Sequence, residues 1–175
     1  MNKVLLHTCC AVCFSHPSNK LQEDGFEVIP YFYNPNIYPF EEYKRRLEEL
    51  IKIAPNTIIE ENNPQVFYNY TEGLENEPEK GKRCLKCFEL RLIKTAQKAK
   101  ELKIKNFTTT LTVSPHKISN HIFEIGEKIA KDFDLNFLKY DFKKQDGFKI
   151  TQKIATEKNL YKQLYCGCEY SIKKL

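Results

Sequence analysis

The sequence predicts an α/β fold built on one mostly parallel sheet with helices on both faces. Three observations carry that prediction. Short apolar runs alternate with segments of helical periodicity, and the connections are long enough to contain crossover helices. No repeat, low-complexity tract or Pro/Gly/Ser linker divides the 175 residues. That length suits one hydrophobic core, so residues 1–175 are expected to form a single domain.

The elements follow in order along the chain. Lys3 to Thr8 is a short apolar run, a first strand, followed by a helix from about Phe14 to Glu23 and a turn at Asp24-Gly25. Glu27 to Tyr33 is the second strand, ended by Asn34-Pro35-Asn36. Tyr43, Leu47, Leu50 and Ile51 fall at i, i+4, i+7 and i+8, one face of a helix. Thr57 to Glu60 is a third strand. Pro64 to Lys82 is irregular, suiting a short helix and an exposed loop. From Leu85 onward, Phe88, Leu92, Ala96 and Ala99 keep helical spacing. Phe107 to Val113 is rich in β-branched residues and predicts a strand. Ser114-Pro115 predicts a helix start, with Ser as cap and Pro at the first helical position. Ile118, Ile122, Ile125 and Ile129 give that helix a buried stripe. Asn136 to Asp141 is a last strand, Asp146-Gly147 a turn and Phe148 to Glu157 a last helix. In such sheets ligands bind beyond the C-terminal ends of the strands.

Composition narrows the class of protein. Hydrophobic residues at 41% and charged residues at 29% suit a soluble globular chain. No apolar run approaches the ~20 residues that span a bilayer, and the N-terminal residues lack a signal peptide's apolar core. A cytoplasmic protein with no membrane partner is expected. The net charge of +5 is modest, with local clusters at Lys44-Arg45-Arg46, Lys80 with Lys82-Arg83, Lys143-Lys144 and Lys173-Lys174. These clusters suit either RNA phosphates or solvated surface.

Seven cysteines fall in three tight groups. Cys9, Cys10 and Cys13 follow the first strand, Cys84 and Cys87 open the long middle helix, and Cys166 and Cys168 flank Gly167. In a reducing compartment this pattern points to metal ligation or thiol redox chemistry, not to a disulfide framework. Cys10-x-x-Cys13 and Cys84-x-x-Cys87 have chelating spacing, which suits zinc or an iron–sulfur cluster. A helix N-terminus further favours thiolates at Cys84 and Cys87. On an extended strand, vicinal Cys9 and Cys10 point to opposite faces and share a centre only where the backbone turns. A four-iron cluster eases that constraint because its ligands bind separate corners, which tilts the reading toward iron–sulfur. Cys166-Gly167-Cys168 suits a strained, easily reduced disulfide or two further metal ligands.

Five segments carry a family resemblance: Leu5 to Cys13, Arg83 to Leu92, Thr108 to Lys117, Asp141 to Lys144 and Tyr165 to Ser171. They resemble the signature blocks of the QueH epoxyqueuosine reductases, with Lys143 where the family's arginine is expected. The resemblance implies a HUP-like (adenine nucleotide alpha hydrolase-like) α/β domain whose phosphate loop is replaced by the Cys9-Cys10 segment. It implies a [4Fe–4S] cluster held by Cys9, Cys10, Cys84 and Cys87, with Cys13 as an accessory ligand and Cys166 and Cys168 as a redox-active pair. A rival partition gives Cys10, Cys13, Cys84 and Cys87 to the cluster and Cys9, Cys166 and Cys168 to a second, mononuclear iron. The implied activity is the cobalamin-independent final step of queuosine biosynthesis, on tRNA carrying epoxyqueuosine at the anticodon, fed by an unidentified electron donor.

Reducing an epoxide to an alkene requires electrons, a group that polarises the C–O bond and a proton donor. Asp141 and Tyr165 are the candidate donors; Arg91, His116 and Lys117 are candidates for binding substrate. Two other functions fit parts of the sequence. An ATP-using tRNA thiolation-type enzyme would want a Gly/Ser-rich phosphate loop where Thr8-Cys9-Cys10-Ala11 stands. A non-catalytic zinc- or cluster-containing RNA-binding module would want a stacking platform, to which Phe32, Tyr33 and Tyr38 would contribute.

Overall fold

The computed structural model describes residues 2–172, so the Lys173-Lys174 pair lies outside the described residues. Five parallel strands form one sheet in the order β3-β2-β1-β4-β5. They are β1 (Asn2–His7), β2 (Phe26–Phe32), β3 (Ile58–Ile59), β4 (Asn106–Thr109) and β5 (Asn136–Phe137). The helices are α1 (Ala11–Glu23), α2 (Phe40–Ile53), α3 (Pro64–Tyr70), α4 (Lys82–Glu101), α5 (Ser119–Phe133) and α6 (Gly147–Glu157).

Strand β1 lies at the centre, and Val4, Leu5 and Leu6 are completely buried, as expected when both faces of a parallel sheet are covered. Alternation along the strand divides them between two cores. Leu5 joins Tyr31, Phe107, Leu92, Ala96 and Ile122 beneath α4 and α5, while Val4 and Leu6 join Phe32, Phe14, Leu21 and Leu50 beneath α1 and α2. The chain winds from β1 through β2 to β3, then returns to place β4 on the other side of β1. The C-terminal ends of β1 and β4 therefore flank the point where the winding reverses, the usual ligand-binding crevice of such a sheet.

Four boundaries depart from the sequence reading. Helix α1 begins at Ala11, directly on the cysteine segment, with Cys10 as its N-cap. Strand β4 ends at Thr109, and Thr110–Val113 forms a 3₁₀ turn. There the Thr109 hydroxyl accepts from Leu111 N–H, and the pairing strands β1 and β5 have already ended. Ser114-Pro115 opens a turn instead of a helix. Its Ser114 carbonyl accepts from Lys117 N–H, and α5 starts at Ser119 with Ile118 as cap. Strand β5 stops at Phe137, well short of Asp141.

Candidate metal and redox centre

The first cysteine group forms where β1 hands over to α1. The backbone bends at Cys9 and Cys10 is extended, so the two side chains converge instead of diverging. Their sulfurs stand 3.9 Å apart, and Cys9, Cys10 and Cys13 Sγ all lie within 4.8 Å of one another. Tetrahedral thiolate ligands at ~2.3 Å from one ion stand roughly 3.8 Å apart, so the Cys9–Cys10 spacing suits one ion, and ligands on separate irons of a four-iron cluster would stand farther apart. The expected separation of Cys9 from Cys10 does not hold, because both lie past the extended strand.

Helix α1 also conditions these sulfurs electrostatically. Cys10 Sγ accepts from Cys13 N–H at 3.3 Å, in the place of a capping oxygen, where the helix N-terminus favours negative charge. Contacts from Cys10, then Cys13, hold the Cys9 thiol well below its ordinary range. Contacts with Cys10 and Cys9, together with burial, push Cys13 well above it. Three thiols this close cannot all ionise without a cation among them. The donor set thus fits a metal.

The second group gathers at the start of α4 and in the C-terminal segment. Cys84 Sγ accepts the N–H of Lys80 at 3.3 Å. Cys87, three residues on, is buried, and burial raises its thiol to about 12. Cys166 and Cys168 lie close enough to Cys84 and Cys87 to raise both thiols further. The C-terminal loop is firmly tied: buried Arg46 donates to the carbonyls of Cys166 at 2.8 Å and Tyr165 at 2.9 Å while pairing with Glu42 at 2.7 Å. Gly167 has φ +145°, where a side chain is strained, and a Cβ there would stand 3.1 Å from the Arg46 guanidinium.

A cleft of about 580 Å³ joins the groups, lined by Cys9, Cys13, Cys84 and Cys166. Cys9 Sγ meets Thr110 Oγ1 at 3.6 Å, so the cleft floor spans the β1/β4 switch point. Beneath it, His7 is completely buried, with Nδ1 2.9 Å from Thr109 Oγ1 and Nε2 3.2 Å from Asn34 Oδ1. Burial, then the Arg91 guanidinium, lowers His7 to about 4 and keeps it neutral.

The expected substrate-binding residues separate into two depths. Arg91 is buried; burial opposes its charge, but Cys87, Cys166 and Cys9 sustain it. Its Nη1 donates to Asn34 at 3.3 Å, whereas its buried Nη2 has no hydrogen-bond partner among the described residues. An unpaired guanidinium nitrogen beside the cysteines suits an anionic, thiolate-ligated group. Lys117 lines the cleft; again burial opposes the ammonium, and Cys166 and Cys9 outweigh it. His116 is exposed at the cleft rim. Tyr165 lines the cleft with its hydroxyl donating to the Tyr38 carbonyl. Asp141 is not among the cleft residues; its carboxylate accepts from Ser119 at 2.8 Å and from Lys143 at 3.1 Å.

Several surface expectations also change. Arg46 and Arg83 are buried, Arg83 donating to the carbonyls of Leu74, Glu75 and Glu77, so neither is free to meet phosphate. Phe32 and Tyr33 are buried in the two cores, leaving only Tyr38 of the expected stacking platform exposed. Gln163 joins the site without any sequence signal: its Nε2 donates to Cys10 Sγ at 3.2 Å and lies 3.9 Å from Cys13 Sγ.

Fold and site together define a parallel α/β protein with a cysteine-lined, cationic cleft at the switch point of its sheet. The family described as Epoxyqueuosine reductase QueH matches residues 4–174. Proteins carrying that name are 38% identical over 180 residues in Streptococcus pyogenes serotype M1, covering 97% of this chain and 70% of the relative. The identity is 36% over 177 residues in Haemophilus influenzae, covering 98% and 72%. It is 35% over 175 residues in Dehalococcoides mccartyi, covering 97% and 92%. This chain belongs to the epoxyqueuosine reductase QueH family. A solved structure described as a predicted subunit of tRNA methyltransferase from Methanocaldococcus jannaschii shares the fold, with a TM-score of 0.63 at 13% identity over 90% of this chain and 75% of that one. Among the described residues, no helix is long and apolar enough to cross a membrane.

Proposed function

We propose that this protein reduces epoxyqueuosine to queuosine in tRNA, the final step of queuosine biosynthesis, as a cytoplasmic, cobalamin-independent oxidoreductase. The observation that carries the reading is the convergence of Cys9, Cys13, Cys84 and Cys166, from three chain segments, on one cleft that also holds Arg91 and Lys117. Residues 1–175 act as one domain in this reading, with the Cys166-Gly167-Cys168 segment closing over the site.

A [4Fe–4S] cluster would be held by Cys9, Cys10, Cys84 and Cys87, with Cys13 as an accessory ligand and the Cys9 and Cys10 sulfurs moved apart onto separate irons; when bound, it would pass electrons from the cell's donor to the dithiol. The unpaired Nη2 of Arg91 supports an anionic group there. A second, mononuclear iron on Cys9, Cys166 and Cys168 is favoured by one observation: Cys9 and Cys166, far apart in sequence, line the same cleft.

Converting the epoxide to an alkene takes two electrons and two protons and releases water. The Cys166–Cys168 dithiol supplies both: its S–H bonds break, an S–S bond forms, both C–O bonds break and the oxygen leaves as water. An electron donor of the cell then restores the dithiol. Lys117, kept charged beside Cys9 and Cys166, polarises the C–O bond and relays one dithiol proton to the leaving oxygen, regaining its own from the S–H that breaks. Tyr165, also in the cleft, relays the second dithiol proton, and His116 meets the RNA at the rim.

The test is direct. Reduced protein is incubated anaerobically with tRNA containing epoxyqueuosine, and the digested nucleosides are analysed by mass spectrometry. Queuosine should accumulate at the expense of epoxyqueuosine; unchanged epoxyqueuosine would overturn the assignment.

A further inference from the structure

Among the described residues Leu164 is 92% exposed, far beyond the next large apolar side chain, Phe40 at 61%. An exposed leucine on a loose loop means little, since scattered surface leucines are normal. Leu164 is not on a loose loop. The preceding residue, Gln163, donates its amide to Cys10 Sγ, and the following residue, Tyr165, has its carbonyl held by buried Arg46. Both neighbours are fixed, so the leucine is presented at a defined place on the wall of the cysteine cleft.

The surroundings suit a nucleic-acid loop. Ile118 and Phe148 also line the cleft and are 47% and 38% exposed, offering apolar surface to bases. Exposed Lys80 and Lys162 line its rim against a single carboxylate, Glu79, which complements a phosphodiester backbone. The sulfurs of the site lie below the rim: Cys168, one of the reacting pair, is 8% exposed and Cys166 is half-buried, with Cys9 and Cys10 also buried, at 9% and 2%. A base stacked within an RNA loop cannot bring its substituent to that depth, so it must leave the stack at a cost of a few kcal/mol. An apolar side chain that enters the gap offsets part of that cost.

We propose that Leu164 is a wedge that fills the place of the modified base in the RNA stack while that base enters the cysteine cleft. The wedge rests on the reading of the substrate as a nucleoside within tRNA and names how that nucleoside reaches the sulfurs. Leu164 touches RNA and not the reacting atoms, so it is a positioning residue.

The probe is an unmodified anticodon stem–loop RNA with 2-aminopurine as the 3′ neighbour of the first anticodon position, a base that brightens when its stack opens. Wild-type protein should bind it with a clear fluorescence rise. Leu164→Ala should bind within about twofold yet lose the rise, and should turn over epoxyqueuosine tRNA about tenfold or more slowly. Leu164→Met should restore both. A wild-type rise in Leu164→Ala would overturn the wedge, as would a wild-type protein that does not bind the stem–loop. So would a large loss of affinity with an unchanged rise per bound RNA, which marks an ordinary contact. A wild-type protein that opens the stack but leaves epoxyqueuosine unreduced would refute the reductase reading and leave the wedge standing.

Discussion

The side-chain amide of Gln163 donates to the sulfur of Cys10 at 3.2 Å, across 153 residues of sequence. It ties the C-terminal loop to the first cysteine group and places a donor on a sulfur that is a proposed metal ligand. Hydrogen bonds to ligand sulfurs stabilise the more negative, reduced state of an iron–sulfur centre. Gln163→Leu should therefore retain iron but lower the midpoint potential by something on the order of tens of millivolts, read by spectroelectrochemical titration. An unshifted potential would show that Gln163 serves only to position the loop.

Arg46 holds the C-terminal segment from beneath. It is 1% exposed, and its guanidinium links the Glu42 carboxylate to the carbonyls of Tyr165 and Cys166. Arg46→Met leaves a buried carboxylate with only the Tyr161 hydroxyl, and should cost about 3–5 kcal/mol in urea denaturation. Glu42→Gln combined with Arg46→Met should cost less than Arg46→Met alone, because no buried charge is left unpaired.

Gly147 opens α6, and a Cβ there would lie 1.8 Å from the Phe142 carbonyl oxygen. That neighbour is main chain and cannot rotate away. Gly147→Ala should destabilise by about 3 kcal/mol or more, and any folded protein should have altered turnover because α6 brings Phe148, Thr151 and Gln152 to the cleft. A thermal melt and an activity assay on the same sample check both effects.

Two cysteine variants separate metal binding from redox exchange. Cys84→Ala should lose the brown chromophore together with activity. Cys166→Ser should lose turnover while most of the iron remains. An unaltered rate in Cys166→Ser would remove the dithiol from the reaction, and loss of iron would make Cys166 a ligand.

The strands, the long helix α4 and the grouping of the cysteines were legible because each rests on local pattern: apolar runs, helical spacing and short sulfur spacings. What was illegible depended on partners distant in sequence. Phe107 to Val113 is rich in β-branched residues, yet the strand stops at Thr109, level with the last residue of β1 and past the end of β5. Ser114-Pro115 has the composition of a helix start, yet the Ser114 carbonyl closes a turn and delays α5. Arg46 and Arg83 resemble surface charge in Lys/Arg runs, but their acceptors are largely backbone carbonyls, which composition does not display. Asp141 follows a family block, but its place outside the cleft reflects how the chain runs after β5.

The measurement that tests the central claim most directly is iron, sulfide and zinc analysis of anaerobically purified protein, with its absorption spectrum. The account predicts about four irons and four sulfides per chain and a broad band near ~400 nm that bleaches on reduction, with a fifth iron if Cys9, Cys166 and Cys168 hold a second centre. Stoichiometric zinc, with no sulfide and no chromophore, would contradict it and leave the cysteines as a structural metal site.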